Sequence, residues 1–484
     1  MDAKLDTENR ASMEAKGRPR SRQDRASRLI KFPFMRRKPK AFPKKATPRI
    51  LLLQGPVGSF FRRTQDHLNA NGFDCWRVCF NSGDRLFSRR EKTLNFSGAP
   101  DLWRDWFAEL VRENDFDCVI LFGSERVIHR VAIESCEAIG VPVMCLEEGY
   151  IRPGYITMEF GGNNWRSPIA GQLPPPDFNI PRRDAPKSVP CSSSFSAMAL
   201  SAFQYFTVRA LFSSFNERKL FHKQKRTLVF EAIYWIKNYY RKFTHLGRNY
   251  RISERLLEHH DRKFYIVPLQ VHDDGQLGRA ARSWNNQKLI LKSIVSFSRN
   301  APKSHHLVFK IHPMERGHTR DRQLIRQVSA LNDVQNRVHV LDGCSLGLLT
   351  RHSAGMITIN STSGLSALHH GVPLAVMGNA LYRHPDLAFC ADKGLDLDRF
   401  WTEGTVASDE QRQSYLSWIM HECLAGGDFY AREGIDAANV AIEKKLRSAL
   451  SGSRSGEDAC HVDDTIIEVD FGAGHRGPDI HSAS

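Results

Sequence analysis

The chain has 484 residues, of which 41% are apolar and 25% are charged, and this is enough for two or three domains with substantial cores. Its formal net charge is +16, and much of the excess lies in residues 1–49, which hold 16 Lys/Arg against five Asp/Glu. The ten cysteines form no CxxC pair and no Cys/His cluster with zinc spacing, which excludes the common zinc modules. Without a signal peptide, such a sequence favours a reducing, cytoplasmic location.

Residues 1–48 form a basic arm of low hydrophobicity, which is typical of a disordered segment. Its charge leaves three alternatives open: a solvated tail, contact with nucleic acid, and contact with anionic lipid. Because this arm alone points to nucleic acid, we expect no nucleic-acid partner. The acidic tail, residues 451–484, is predicted to be disordered as well.

The first folded domain is predicted over residues 49–175. Apolar strands at 50–53, 118–122 and 141–146 alternate with helical segments, and this rhythm is typical of a parallel α/β sheet. In such a sheet the functional loops gather at the carboxyl ends of the strands. That edge is therefore predicted to hold Gln54 and Gly55, Gly123 and Ser124, and Glu147 and Glu148.

The last of these loops, "LEEGYIRPG", presents two adjacent acids at the end of an apolar strand. A partly desolvated carboxylate has a raised pKa suited to proton transfer, and a second acid adds to that shift, whereas Arg152 would oppose it. The alternatives are a solvated turn and a metal site, but two adjacent glutamates without an Asp-x-Asp make a poor magnesium site, so no metal is expected. Between the two acids we favour Glu148, because Gly149 beside it lets the backbone approach a substrate.

A helical linker is predicted over residues 176–255. Its longest uncharged stretch, residues 191–208, is too rich in Ser, Gln and Thr to span a bilayer. The part that follows mixes aromatic residues with Lys and Arg at helical spacing, as in "YWIKNYYRKF". This pattern fits a helix lying on an anionic membrane surface and, equally, an ordinary pair of interdomain helices with a solvated basic face.

A second α/β domain is predicted over residues 256–450, with three polar loops after its strands. The loop "LQVHDDGQ" contains Gln270 and Asp274 after a long apolar strand, which favours a site over a solvated turn. In "FKIHPMERG", the strand places a histidine at the carboxyl edge of the sheet, where it can bond a phosphate or protonate a leaving group. The residues of interest in that loop are Lys310, His312, Pro313 and Arg316.

The third loop, "NSTSG", carries Ser361, Thr362, Ser363 and Gly364 between a strand and a helix. Hydroxyls and free amides at a helix N-terminus suit a phosphate, although an ordinary N-cap accounts for one Ser or Thr. Three hydroxyls and a glycine favour phosphate binding. No Walker lysine is present, so the loop is not that of a P-loop NTPase.

Six segments in this order resemble the bacterial capsule polysaccharide export family of the KpsS/KpsC type, the retaining β-Kdo glycosyltransferases, and most closely its KpsS branch. They spread over residues 50–385 and read "LLLQGPVGSFFRR", "FNSGDRLF", "EEGYIRPGYITME", "VPLQVHDDGQ", "KIHPMERGH" and "NSTSGLSALHHGVPLAVMGNALY". Three places depart from the family pattern: "GGNNWRSP" after Glu159, Glu315 in place of an aspartate, and "YRHPDLAF". These departures concern the acceptor side more than donor binding.

The resemblance implies a GT-B fold, in which two Rossmann-like domains face a cleft, with CMP-Kdo as the donor, no cofactor, and a phosphatidylglycerol-type lipid as the acceptor. It implies a peripheral protein at the inner face of the inner membrane, beside a KpsC-like transferase and the capsule export complex. The implied roles are Glu147 or Glu148 as the acid/base, Asp274 as the nucleophile, and His312, Ser361 and Thr362 at the CMP phosphate. Further binding candidates on the donor side are Lys310, Pro313, Ser363, Gly364 and Gln270, and the remaining cleft candidates are Gln54, Gly55, Arg152 and Arg316.

Two other interpretations stay open. One is a GT-B enzyme that uses another nucleotide sugar, or an epimerase-like relative. The other is a non-catalytic structural partner of the capsule export machinery, in keeping with the historical label of the family.

Overall fold

The computed structural model describes residues 47–151, 153–190, 194–219, 228–272, 274–390 and 397–452. The basic arm up to residue 46, most of the acidic tail, Arg152 and Asp273 lie outside this part of the chain, so the predictions made for them stay predictions.

The described part alternates strands and helices. The strands are β1 (Arg49–Leu52), β2 (Asp74–Cys79), β3 (Thr93–Asn95), β4 (Cys118–Phe122), β5 (Val143–Glu148), β6 (Tyr155–Phe160), β7 (Phe264–Pro268), β8 (His306–Lys310), β9 (Val338–Leu341), β10 (Gly355–Thr358), β11 (Leu374–Val376), β12 (Phe389–Cys390) and β13 (Leu424–Gly426).

The helices are α1 (Phe60–Ala70), α2 (Ser82–Leu86), α3 (Trp103–Glu113), α4 (Val127–Glu137), α5 (Ser194–Phe212), α6 (Phe215–Lys219), α7 (Leu228–Thr244), α8 (Leu246–His259), α9 (Asn286–Asn300), α10 (Asp321–Leu331), α11 (Leu346–Arg351), α12 (Gly364–His370), α13 (Phe400–Glu403), α14 (Asp409–Cys423) and α15 (Arg432–Gly452).

The first sheet has the strand order β13-β6-β5-β4-β1-β2-β3, and the five strands from β5 to β3 are parallel. Their apolar runs are buried on both faces, as central parallel strands require. Helices α1 and α15 cover one face, and α3 and α4 cover the other. After β1 the chain adds β2 and β3 on one side of β1, and it later places β4 on the other side. The direction of winding therefore reverses between β1 and β4. We call this sheet with these four helices the first lobe.

The second sheet is wholly parallel, with the order β9-β8-β7-β10-β11-β12. Numbered along the chain, this is the 3-2-1-4-5-6 order of a doubly wound nucleotide-binding fold, and its winding reverses between β7 and β10. Apolar side chains on its two faces form two further cores. We call this sheet with helices α8 to α13 the second lobe. The predicted α/β class with two Rossmann-like sheets is confirmed.

The chain returns to the first lobe near its carboxyl end. Strand β13 pairs antiparallel with β6, so that Ala425 lies opposite Ile156, and α15 then packs against α1. The range 256–450 predicted for the second domain includes this returning segment.

The range 176–255 that was predicted for a helical linker contains α5, α6, α7 and most of α8, which belongs to the second lobe. Helix α5 packs against α2 of the first sheet's β2–β3 connection, whereas α7 lies against the second lobe. Among the helices that the structure describes, none is both long and apolar enough to cross a membrane.

Candidate active site

The point where the winding reverses is where doubly wound sheets bind ligands, because the loops after the two central strands diverge there and leave a crevice. In the second lobe these strands are β7 and β10. The loop after β7 contains Gln270 and Asp274, and the loop after β10 contains Ser361 to Gly364. Two motifs that lie about 90 residues apart in sequence therefore meet at one crevice.

The carboxylate of Asp274 is held from two sides. Its Oδ2 accepts a hydrogen bond from Nε2 of Gln270 at 3.2 Å, and its Oδ1 accepts one from the backbone N–H of Gln276 at 3.0 Å. Gln270 is itself buried and fixed by Asn286, whose side chain bonds both the N–H and the C=O of Gln270. The half-buried Asp274 is thus an oriented carboxylate, as a nucleophile requires.

The Ser/Thr loop is ordered by its own hydroxyls. Both the N–H and the hydroxyl of Ser363 donate to Oγ of Ser361, at 3.2 and 2.9 Å, and the Tyr382 hydroxyl donates to the carbonyl of Ser361. A side chain at Gly364 would collide with the Tyr382 ring, so this glycine is explained by packing. Because α12 has only seven residues, its dipole is small, and affinity for a phosphate would come from the hydroxyls and amides of the loop.

His312 follows β8 at the same edge. Its Nδ1 accepts the N–H of Met314 at 3.3 Å, so the neutral ring carries its proton on Nε2. Asn238 of α7 donates to the carbonyls of Pro313 and Met314 at 3.0 and 2.9 Å and so anchors the loop from outside. The histidine is therefore an oriented hydrogen-bond donor on a fixed turn.

The two cations of this loop have different surroundings. Lys310 is only 6% exposed, and burial lowers its pKa to about 8. Arg316 donates from Nε to the carbonyl of Asp342 at 2.8 Å and from Nη1 to the carbonyl of Pro313 at 3.3 Å. In this structure Arg316 therefore stabilises the loop, whereas Lys310 supplies a buried positive charge.

In the first lobe, Gln54 and Gly55 belong to a buried polar network. Nε2 of Gln54 donates to Oδ2 of Asp84 at 3.2 Å, and Nη1 of Arg126 donates to Oε1 of Gln54 at 3.3 Å and to the carbonyl of Gly55 at 3.1 Å. Tyr205 of α5 donates its hydroxyl to Oδ1 of Asp84 at 3.0 Å. Gln54 and Gly55 are thus held in place within the loop after β1, and a helix of the linker completes the network.

Glu147 and Glu148 lie on opposite faces of the first sheet, because successive residues of a strand alternate. Glu147 shares its face with Cys145 and with helices α3 and α4, whereas Glu148 shares its face with Leu146 and with α1 and α15. An ideal Cβ at Gly123 would lie 3.4 Å from Oε2 of Glu147 and 3.5 Å from Nε of Arg126, so this acid and this cation are neighbours.

The second lobe makes contacts on the α4 side. An added Cβ at Gly275 would lie 3.0 Å from the Cβ of Glu125, and Nη1 of Arg279 lies 3.8 Å from Oε1 of Glu134 on α4. The face of the sheet that carries Glu147 is therefore the one toward the Asp274 loop. This geometry favours Glu147 over Glu148 as the acid that faces the second lobe, in contrast to the preference drawn from sequence.

The sequence analysis preferred Glu148 because Gly149 was expected to let the backbone approach a substrate, and the surroundings of Gly149 do not support this reason. A Cβ at Gly149 would collide with the carbonyls of Tyr155 and Ile151, so the space beside this glycine is filled by the protein's own backbone. Gly149 is needed for the tight turn between β5 and β6, and it does not open the backbone to a substrate.

The stretch "GGNNWRSP", which departs from the family pattern, connects the lobes. The side-chain amide of Asn164 donates to the carbonyl of Asn360 at 3.3 Å, and its Oδ1 accepts the N–H of Leu381 at 3.1 Å. Asn360, fully buried, donates in turn to the carbonyl of Gln276 at 2.8 Å. The loops of Asp274 and Ser361 and the edge of the first lobe are thereby tied together, which the sequence analysis missed.

Glu159 is a buried acid that the sequence analysis did not select. It accepts hydrogen bonds from Tyr150 at 2.6 Å and from Ser167, and the Tyr150 hydroxyl also accepts the N–H of Asn164. Burial raises the pKa of Glu159. Because Glu159 lies opposite Cys145 on the Glu147 face, it links the strand of the candidate acid to the contact between the lobes.

Within the described part of the chain, no group of three or more His, Cys, Asp and Glu residues is arranged to hold a metal ion.

Two doubly wound sheets, whose polar carboxyl edges are tied together, define a GT-B-like α/β protein. The family model described as capsule polysaccharide biosynthesis protein matches residues 117–430. The chain is 34% identical to the capsule polysaccharide export protein KpsS of Escherichia coli, over 73% of this chain and 89% of that protein. It is 30% identical to the capsule polysaccharide modification protein LipB of Neisseria meningitidis serogroup B, over 79% and 92%. The chain therefore belongs to the capsule polysaccharide biosynthesis protein family, and the resemblance to KpsS-type proteins is confirmed.

Among solved structures, the β-Kdo 2,7 transferase KpsC of Thermosulfurimonas dismutans matches with a TM-score of 0.36 at 14% identity. The match covers 76% of this chain and 89% of that one.

Proposed function

We propose that the chain is a retaining β-Kdo glycosyltransferase that moves Kdo from CMP-Kdo to a phosphatidylglycerol-type lipid at the inner face of the inner membrane, to start the capsule linker. The observation that carries the proposal is the junction between the lobes: the Asp274 and Ser361 loops flank the winding reversal of the second lobe, and the carboxyl edge of the first lobe, where Glu147 lies, is tied to them through Asn164. Membership of the capsule family supports the pathway, and the sequence motifs support the donor.

The donor side has the groups that a phosphate leaving group needs. As CMP departs, negative charge grows on its phosphate, and preorganised donors there lower the barrier. Lys310 offers a buried positive charge, His312 offers Nε2–H, and the Ser/Thr loop offers hydroxyls. A monophosphate leaving group needs less charge compensation than a diphosphate, so we expect transfer without a metal ion or a cofactor.

The reaction would proceed in two displacements. The carboxylate of Asp274 attacks the anomeric carbon of Kdo, the bond from that carbon to the phosphate oxygen breaks, and CMP leaves with the electron pair. The acceptor hydroxyl then attacks the same carbon, Glu147 takes its proton, and the bond to Asp274 breaks. Two inversions give net retention, and the guanidinium of Arg126 lies beside Glu147 at this position.

A donor screen tests the proposal. The purified full-length chain is incubated with CMP-Kdo and, in parallel, with a panel of UDP-sugars, and release of free nucleotide is measured. We expect release of CMP that the Asp274→Asn variant lacks. Turnover of a UDP-sugar without turnover of CMP-Kdo would assign a different GT-B enzyme, and normal capsule export by cells carrying a Glu147→Gln, Asp274→Asn chain would favour a structural partner instead.

A further inference from the structure

Helix α7 packs with its polar side inward. Asn238 is 5% exposed and donates to the carbonyls of Pro313 and Met314, and Arg241 donates to the carbonyl of Arg316. The backbone of the helix lies so close to Gly317 that any side chain at this glycine would collide with it. The inward face of α7 is therefore committed to the turn that carries His312.

The outward face of the same helix is apolar. Ile236 is 70% exposed and Phe243 is 56% exposed, and these residues lie on one stripe at helical spacing. A soluble helix normally has the opposite arrangement, with its apolar stripe toward the core. More than half of the exposed large apolar side chains in the described chain lie between Phe195 and Tyr250. The stripe on α7 and the start of α8 contains Ile233, Ile236, Tyr239, Tyr240, Phe243, Leu246 and Tyr250.

The charges along the middle of this stripe are positive, whereas Glu254 bonds the hydroxyl of Tyr250 at its far end. Residues 232–253 contain five Lys/Arg and no Asp/Glu. At 100° per residue, the exposed Lys237 and Lys242 fall on opposite sides of the stripe through Ile236. Lysines in these positions can extend their charged ends away from an apolar medium on both flanks of the helix. Tyrosines on the stripe have the amphipathic rings that settle at the level of lipid headgroups.

We propose that α7, with the first turn of α8, lies in the surface of an anionic bilayer, with Ile236 and Phe243 in the acyl region and Lys237 and Lys242 at the headgroups. An in-plane helix with an apolar face and flanking cations binds by apolar burial and by attraction to anionic lipid. A protein interface also combines an apolar centre with a polar rim. The lysines on both flanks of the stripe, with no acid between residues 232 and 253, favour an anionic bilayer.

The docking surface would place the donor side of the site at the membrane, because the inward face of α7 holds the His312 turn. This inference deepens the proposed function and rests on it only for the identity of the acceptor as a lipid. Release of CMP in solution, without vesicles, reports on the transferase reaction alone, so failure of one proposal is separable from failure of the other.

Vesicle flotation of the full-length protein tests the surface. The vesicles contain either phosphatidylcholine alone or equal parts of phosphatidylcholine and phosphatidylglycerol, at low and at high salt. The test variants are Ile236→Ser with Phe243→Ser, and Lys237→Gln with Lys242→Gln. The matched control is Leu331→Ser, which removes an 83% exposed leucine from α10.

We expect binding to anionic vesicles that weakens at high salt. The double serine variant should bind at least tenfold more weakly, because the burial of two large apolar side chains is lost. Loss of each lysine should cost about fivefold. The Leu331→Ser control should bind like the unaltered chain, and circular dichroism should show that all variants are folded.

Three results would overturn the proposal. The double serine variant could float as well as the unaltered chain, or binding could be the same on neutral and on anionic vesicles. The unaltered chain could also be a dimer in solution that the double serine substitution converts to a monomer, which would show that a second copy covers this face.

Discussion

Asn164 and Asn360 join the two lobes, because the side-chain amide of Asn164 donates to the backbone carbonyl of Asn360 at 3.3 Å. The first residue follows β6 of the first sheet, and the second follows β10 just before the Ser/Thr loop. This one bond therefore connects the lobe of the candidate acid with the crevice of the candidate donor site. The side chain of Asn360 extends the connection to the carbonyl of Gln276, so its loss should affect both stability and catalysis.

Replacing Asn360 with alanine should destabilise the fold and slow the reaction. The carbonyl of Gln276 would lose a buried donor, which costs about 1–3 kcal/mol of unfolding free energy. The loops of Asp274 and Ser361 would also lose their common anchor, so kcat/KM for CMP-Kdo should fall. Denaturant unfolding and CMP release measure the two effects.

Asn332→Ala, which removes only a local bond to the carbonyl of Val328 at the end of α10, is the matched control. Equal effects of the two substitutions would contradict the connecting role.

The two glutamates of β5 should differ in importance. Glu147→Gln should lower kcat for lipid transfer by about 10² to 10⁴, the range of general base catalysis, because Glu147 lies on the face toward the second lobe. Glu148→Gln should have a smaller effect, since Glu148 lies on the face of α1 and α15. The ratio of the kcat values of the two variants decides which glutamate acts as the general base. A larger loss in Glu148→Gln would return the role to the residue that the sequence favoured.

Asp274→Asn should abolish CMP release, because an amide cannot form the glycosyl-enzyme bond. The substitution keeps the shape of the side chain and leaves an oxygen for the N–H of Gln276. In the unaltered chain, rapid quenching with CMP-Kdo and no acceptor should give a peptide that contains Asp274 and carries one Kdo mass. Undiminished turnover by the variant would exclude this residue as the nucleophile.

Lys310→Met should make the protein more stable at pH 7 and weaken donor binding. Burial lowers the pKa of Lys310 from 10.5 to about 8, so the folded chain holds this charge at a cost below pH 8. The cost is at most about 3 kcal/mol at 1.36 kcal/mol per pKa unit, and it fades as the pH rises from 8 toward 10.5. The stability gain of the variant should therefore shrink over that interval.

The same titration predicts how donor binding depends on pH. The Lys310 ammonium is charged below pH 8, so KM for CMP-Kdo in the unaltered chain should rise as the pH passes 8. The Lys310→Met variant should start with a higher KM and lack this rise. Arg322→Met serves as the comparison, because Arg322 is bonded to Asp342 and is not proposed to touch the donor. A Lys310→Met variant that is less stable and binds the donor normally would mean that the buried charge is structural.

The positions of the strands and loops were predictable from sequence, whereas the faces and contacts were not. Apolar runs that end in polar residues located β4 at Cys118–Phe122 and put β1 and β5 within one or two residues, because central parallel strands are nearly continuous apolar runs. The return of β13 to the first sheet was not visible, since three residues carry no periodicity.

For the candidate site as well, the positions of the residues were predictable from sequence, whereas their contacts were not. Asp274 and Ser361 were recognised as polar residues after strands, and the strand order then brought them to one crevice. Asn164 and Glu159 were missed because their role depends on partners about 10 to 200 residues away, Tyr150 and Asn360 among them. The preference for Glu148 came from a glycine whose surroundings only the folded backbone determines.

The most direct test of the central claim is incubation of the full-length protein with CMP-Kdo and phosphatidylglycerol vesicles, followed by mass spectrometry of the extracted lipid. The account predicts a lipid that has gained Kdo, formed by the unaltered chain and absent with the Asp274→Asn variant. Recovery of only unmodified lipid from a folded chain that releases no CMP would contradict it.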